Sequence, residues 1–300
     1  MHRPTLPYGH RIPVILTTVT TAFVISGGGN LGALHVGMLS ALAEAGIRPD
    51  LIVATSVGAV NAGWVASRPD SAGIDGLADL WRSLSRKHIF PARPLDGLLG
   101  FLGRRPNLLT SNGLRRLLTE NLEFTRLEDA PIPLHVVATD VLSGQDVLLS
   151  SGDAVDAIAA SAAIPAVFPP VRIDGRYLID GGVVNNTPLS HAVALGADVV
   201  WVLPTSYSCA LPSPPKGALA IAMQALNLLI NRRLAVDVDR FENAVDLRVI
   251  PQPCPINAAR ADFSQSGQLI ELARESTRAW LAGPRAVSGQ AGSLGPHSHG

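Results

Sequence analysis

Residues 22–26 (Ala-Phe-Val-Ile-Ser) form an apolar run with no charge, which predicts a strand buried on both faces. Gly27-Gly28-Gly29 follows, and the period then changes. From Asn30 to Ala45, the residues Leu31, Leu34, His35, Met38, Leu42 and Ala45 recur at three- and four-residue spacing. That spacing predicts a helix with one shared face, stopped by Gly46. Leu51-Ile52-Val53-Ala54 is a second short buried strand. Thr55-Ser56 then turns into a small-residue helix over residues 57–66. The order strand, loop, helix, strand, turn, helix implies an α/β fold, a three-layer sandwich with a largely parallel central sheet.

The pattern breaks over residues 68–130. Prolines 69, 91, 94, 106 and 131 punctuate short helical pieces, and Arg82, Arg86, Lys87, Arg93, Arg104 and Arg105 make the stretch locally basic. It reads as a helical cap inserted over a site or as a solvated helical layer. Strand character returns at residues 134–142, with 145–149 as an antiparallel partner. Asp153 is placed to cap a helix through Ala160. Asp174-Gly175 between two β-rich runs, 171–173 and 176–179, predicts a two-residue hairpin. A strand at 198–203, a long helix at 218–241, a strand at 245–250 and a helix at 262–281 complete the sequence of elements.

Residues 1–20 read as an extension before the first core strand, 21–282 as one catalytic domain, and 283–300 as a disordered Gly/Ser-rich tail. Two arginines precede an apolar stretch at 12–26, as in a cleaved leader. Pro13 and several threonines interrupt it, however, and it runs straight into the glycines, which fits a strand better. The run at 218–230 is too short to span a bilayer and is expected to pack in the core rather than on a membrane surface.

Composition narrows the function classes. The chain has 300 residues, of which 47% are hydrophobic and 16% charged, ample for a folded core. Lys+Arg and Asp+Glu are both 24, so the formal net charge is zero. With aromatics at only 5%, neither an electrostatic nor a stacking grip on nucleic acid is expected. Cys209 and Cys254 fit a reducing, cytoplasmic setting, with a single bridge left open. No metal-ligand spacing occurs, and no cofactor is expected.

Three stretches carry candidate chemistry. Ser26-Gly27-Gly28-Gly29-Asn30-Leu31-Gly32 joins a strand to a helix. Glycines there let the backbone approach a ligand closely, and the helix N-terminus can hold an oxyanion or a phosphate. Gly27, Gly29 and Gly32 also satisfy a dinucleotide-binding pattern, which expects an acidic residue at the carboxyl end of the second strand. Asp50 instead precedes that strand. Second, Ala54-Thr55-Ser56-Val57-Gly58 approximates a nucleophile elbow with Ala54 at the first glycine position. Taken alone, Ser56 also reads as an N-cap. Third, Ile179-Asp180-Gly181-Gly182 ends a strand and is followed by Asn185-Asn186-Thr187-Pro188, which could be simple turn chemistry.

In order and context the three together resemble the patatin-like phospholipase family over roughly residues 21–250. His35-Val36-Gly37, Ala138-Thr139-Asp140 and residues 160–165 (Ala-Ser-Ala-Ala-Ile-Pro) support the likeness. The resemblance implies a patatin-like fold and a serine acyl hydrolase of lipid esters. Carried over by motif, Ser56 is the nucleophile, Asp180 its partner, the Gly28–Asn30 loop the oxyanion hole, and Ala54, Gly58, Gly181 and Gly182 shape the elbow and dyad motifs. Leu31 replaces the family's usual Arg or Lys, and Ala54 its usual Gly. A catalytically weak or inactive lipid- or partner-binding protein on the same fold is the alternative. A Ser–His–Asp triad using His35, His88, His135 or His191, with Asp140 as a rival acid, is the mechanistic alternative. The expected partner is a lipid ester, reached by transient contact at the membrane periphery. An acyl chain could lie along Ile164, Ala166, Val167 and Phe168, which could equally be core.

Overall fold

The computed structural model describes residues 19–85, 110–205, 214–253, 256 and 263–283. Cys209, Cys254, His88, residues 1–18 and 284–300, and residues 86–109 of the expected cap lie outside these.

The uninterrupted apolar runs become strands with both faces covered. β1 (Thr21–Ile25), β2 (Leu51–Thr55), β3 (Leu134–Asp140), β7 (Val199–Leu203) and β8 (Asp246–Val249) lie side by side and parallel, in the order β3-β2-β1-β7-β8. Alternate residues point to opposite layers. Phe23, Ile25, Ile52, Ala54 and Leu203 join one core. On that face lie α1 (Gly32–Glu44), α2 (Val57–Ser67), α3 (Ser71–Ser83) and, late in the chain, α8 (Ser266–Ala282). Ala22, Val24, Val53, Val200 and Val202 join the other core, under α6 (Leu189–Ala194) and α7 (Ala218–Phe241). This is the expected three-layer α/β sandwich. α4 (Asn112–Asn121) and α5 (Ala154–Ser161) complete the described helices. Asp153 caps α5 by accepting the Asp156 N–H at 2.8 Å.

Three antiparallel strands extend the β3 side: β4 (Asp146–Leu149), β5 (Val171–Ile173) and β6 (Arg176–Asp180). β5 and β6 form the expected hairpin. Asp174 and Gly175 both take positive φ, 48° and 79°, the backbone sense that a primed two-residue turn requires.

The register around β3 determines where the chemistry falls. Val137 pairs with Thr55 of β2 and with Leu148 of β4, while Ala138 pairs with Val147 of β4 and with Asp180 of β6. A strand has only two edges, and β4 occupies one of them along both residues. β2 and β6 therefore share the other edge, at successive positions. The end of β2 and the end of β6 meet head-on, which brings Ser56 and Asp180 together across 124 residues of sequence.

Two expectations need correction. α1 has no single apolar face: it starts at Gly32 after a 3-10 turn (Gly29–Leu31) and is buried nearly all round, while Ala45, expected on its inner face, is exposed. A helix between a sheet and other helices has no solvent side to pattern. Likewise, the apolar run at 218–230 does not simply pack in the core. In α7 the side chains of Ile221, Leu226, Leu228 and Leu229 are exposed, and the helix is anchored through Leu234 and Val238 further along. Among the described residues no helix is long and apolar enough to cross a membrane.

Candidate active site

The sequence-selected residues converge at the carboxyl edge of the parallel strands, where open α/β sheets commonly bind ligands. β2 delivers Ser56, whose backbone sits at φ 57°, ψ −128°. That left-handed conformation costs a non-glycine residue about 1–3 kcal/mol and survives only where neighbours enforce it. They do so here. The Ser56 N–H donates to Ser161 Oγ at 2.8 Å, and Ser161 Oγ donates to the Val137 carbonyl at 2.6 Å. At Gly58 a Cβ would meet the Ile25 and Ser26 carbonyl oxygens at 2.4 and 2.5 Å, so α2 can start against the end of β1 only because residue 58 is glycine. Ala54, where the motif usually has glycine, is fully buried, with its methyl in the core cluster.

Ser56 Oγ donates to Asp180 Oδ2 at 2.6 Å. Asp180 Oδ1 accepts the Gly182 N–H at 2.7 Å, its backbone N–H reaches the Ala163 carbonyl at 3.0 Å, and its own carbonyl accepts Thr139 Oγ1 at 3.0 Å. The aspartate is thus fixed from every side. Burial disfavours its charge and pushes its pKa up to about 6, against the smaller downward pull of the Ser56 hydroxyl and the Gly182 amide. Gly181 lets this turn close over the sheet, since a Cβ there would meet the Val137 carbonyl at 2.2 Å.

The glycine loop lies beside the serine: a Cβ on Gly27 would approach Ser56 Cβ to 3.0 Å. The Gly27 N–H donates to the Asn186 carbonyl at 3.0 Å. The Gly27 carbonyl accepts Thr205 Oγ1 at 2.6 Å and Asn186 Nδ2 at 3.3 Å. With its base clamped, the loop turns outward. Gly28 and Gly29 are exposed, Gly29 at φ 60°, and their N–H groups donate to no backbone group among the described residues. Asn30 is buried in the middle of the 3-10 turn. Leu31 points into the main core, so it supplies no charge to the cleft.

The rival residues sit elsewhere. His35 is fully buried, with Nδ1 3.2 Å from Asn61 Nδ2, and burial lowers its pKa to about 3 against a smaller upward pull from the Leu203 backbone. Asp140 accepts the Leu142 N–H and the Ser143 hydroxyl in its own turn. His191 Nε2 lies 2.9 Å from Asp146, which also accepts Asn185 Nδ2. Burial pushes the Asp146 carboxyl up, but those hydrogen bonds outweigh it and hold its pKa below the usual value. His135 meets Ser150, and burial, with the nearby His191, lowers its pKa. Asp50 lies at the opposite edge of the sheet, on the Thr21 N–H, away from the glycine loop. Phe168 is core, with Val167 packed against it.

Sequence reading gave the supporting residues no role. Ser161, Thr139, Asn186 and Thr205 hold the elbow, the aspartate and the loop. Thr139, Ser161 and Asn186 lay in stretches already singled out, as support for the family likeness or as the sequel to the Asp180 motif, and Thr205 carried no signal.

A model described as patatin-like phospholipase matches residues 23–193. An uncharacterised NTE family protein of Mycobacterium tuberculosis is 32% identical over 192 residues, covering 64% of this chain and 51% of its own. Lysophospholipase nte1 of Neurospora crassa is 28% identical over 202 residues, covering 65% of this chain and 12% of its own. This chain thus spans about half the length of its mycobacterial relative. Among solved structures, VipD of Legionella pneumophila aligns over 87% of this chain and 66% of its own at 16% identity, with a TM-score of 0.44.

Proposed function

Because this chain belongs to the patatin-like phospholipase family, we propose that it hydrolyses acyl esters of lipids, with Ser56 as nucleophile and Asp180 as its base. The observation that carries the reading is the 2.6 Å Ser56–Asp180 hydrogen bond, made by a serine at φ 57° beside a glycine loop whose Gly28 and Gly29 are exposed. A relative named as a lysophospholipase makes lysophospholipids and phospholipids the first substrates to try. Residues 21–282 act as the catalytic domain, with part of 68–130 as a helical cap.

In this mechanism Asp180 takes the Ser56 hydroxyl proton as Oγ attacks the ester carbonyl. A carboxylate with a pKa near 6 suits that proton transfer, because it is ionised at neutral pH and yet a stronger base than an exposed aspartate. Charge moves to the carbonyl oxygen, where the Gly28 and Gly29 amides, with that of Asn30, stabilise it. One such donor is worth roughly 3 kcal/mol. The tetrahedral intermediate collapses, the alcohol leaves with the proton from Asp180, and the acyl chain stays on Ser56. Water, deprotonated by the same carboxylate, then releases the fatty acid. No histidine is required.

The test is release of free fatty acid from lysophosphatidylcholine and phosphatidylcholine by wild type and Ser56→Ala. Release by wild type alone is expected. Equal release by a folded Ser56→Ala protein would remove the proposal.

A further inference from the structure

The exposed apolar side chains of α7 border a cavity that begins two residues beyond Asp180. The cavity measures about 190 Å³ and lies between the turn after β6 and α7. Gly182, Val183 and Asn186 form one wall; Leu226, Leu229 and Leu234 form the other. Gly182 is the amide that holds Asp180 Oδ1, and Asn186 holds the Gly27 carbonyl. The inner wall therefore belongs to the same residues that fix the aspartate and the glycine loop.

The outer wall is unusual for a water-facing surface. Leu229 is 68% exposed, and Leu226, three residues before it on the same side of the helix, is 36% exposed. Exposed apolar side chains that border a cavity mark a binding surface. Arg233, the one charged residue among the described lining residues, is tied to the buried Asp237 at 2.7 Å, so the leucines dominate what the cavity offers a ligand. α7 lies beyond the residues 23–193 that match the family model.

We propose that this cavity is the acyl-chain subsite: an unbranched aliphatic chain lies between the 181–187 turn and α7, with Leu226 and Leu229 as its outer wall. The assignment rests on the hydrolase reading for the chain's carboxyl end and on the cavity for its direction. The cavity is smaller than the roughly 300–1,000 Å³ of sites that enclose a whole small ligand. It covers part of a chain and leaves the remainder along the exposed side of Leu229. Each methylene removed from water favours binding roughly fourfold. The subsite therefore sets a preference for longer acyl chains.

Two measurements test it. The first is the ratio of kcat/KM for p-nitrophenyl dodecanoate to that for the butanoate, both below their aggregation concentrations. Leu229→Asn and Leu226→Asn/Leu229→Asn should lower that ratio by about tenfold or more, equivalent to the loss of two buried methylenes. Val236→Asn, an exposed α7 residue outside the cavity walls, should leave the ratio as in wild type. An unchanged ratio in the leucine variants, or an equal fall in Val236→Asn, overturns the assignment. The second measurement needs no turnover: cis-parinaric acid fluorescence on a Ser56→Ala background, with and without the leucine substitutions. Weaker binding in the leucine variants supports the subsite even if wild type cleaves no ester, in which case only the hydrolase reading falls. Binding indifferent to the leucines removes the subsite whatever the esterase assays give.

Discussion

The two edges of the central sheet use aspartate in opposite ways. At the edge where the parallel strands begin, Asp50 accepts the Thr21 N–H at 2.7 Å and Asp198 accepts the Thr20 N–H at 2.8 Å. Both carboxylates are exposed and simply tie off strand ends. At the carboxyl edge Asp180 is 7% exposed, its pKa is raised to about 6, and it faces a serine held in a strained conformation. One edge keeps its carboxyl groups at the surface. The other stores desolvation and strain around a hydroxyl. Sites that trade stability for reactivity have this second character.

The sharpest way to break the contrast is Ser56→Ala. Lipid ester hydrolysis should fall by about four orders of magnitude or more, as for nucleophiles elsewhere, while the melting temperature hardly moves. Asp180→Asn comes next. General-base loss should lower kcat/KM about 10²–10⁴-fold. In wild type, kcat/KM should rise with pH through a value near 6, and that limb should vanish in the variant. The stability effect has the opposite sign. A pKa raised in the folded state, from 3.8 to about 6, favours the fold while Asp180 is protonated and loses that contribution as pH rises through 6. At about pH 8 the asparagine variant should therefore be more stable, by up to about 3 kcal/mol, in urea titrations.

Gly28→Ala probes the loop between the two effects. Its methyl would lie 1.9 Å from Thr205 Oγ1 and 2.7 Å from Thr205 Cβ, so the loop or its Thr205 clamp must shift. We expect kcat to fall about 10²-fold. Asp198→Ala is the control at the quiet edge. It should cost about 1 kcal/mol in urea titrations and leave kcat/KM unchanged.

Local signals carried much of the fold. The apolar runs gave strands within a residue or two, Asp174-Gly175 gave its hairpin, and the period over 31–42 gave a helix. The sequence offered no means of seeing that β2 and β6 abut on one edge of β3, since that depends on pairing between segments more than a hundred residues apart. Motif order nominated Ser56 and Asp180; only the register explains their contact. The apolar run in α7 misled for a related reason. A helix apolar all round reads as core, and the pattern alone does not say that its outer side chains border a cavity beside Gly182.

The most direct test of the central claim is fluorophosphonate labelling across about pH 5–8 in wild type and Asp180→Asn, with the modified peptide mapped by mass spectrometry. The account predicts labelling at Ser56, at a rate that climbs through a pKa near 6 in wild type and is slow and flat in Asp180→Asn. A folded wild type that takes no label, or equal rates in the two proteins, would contradict it.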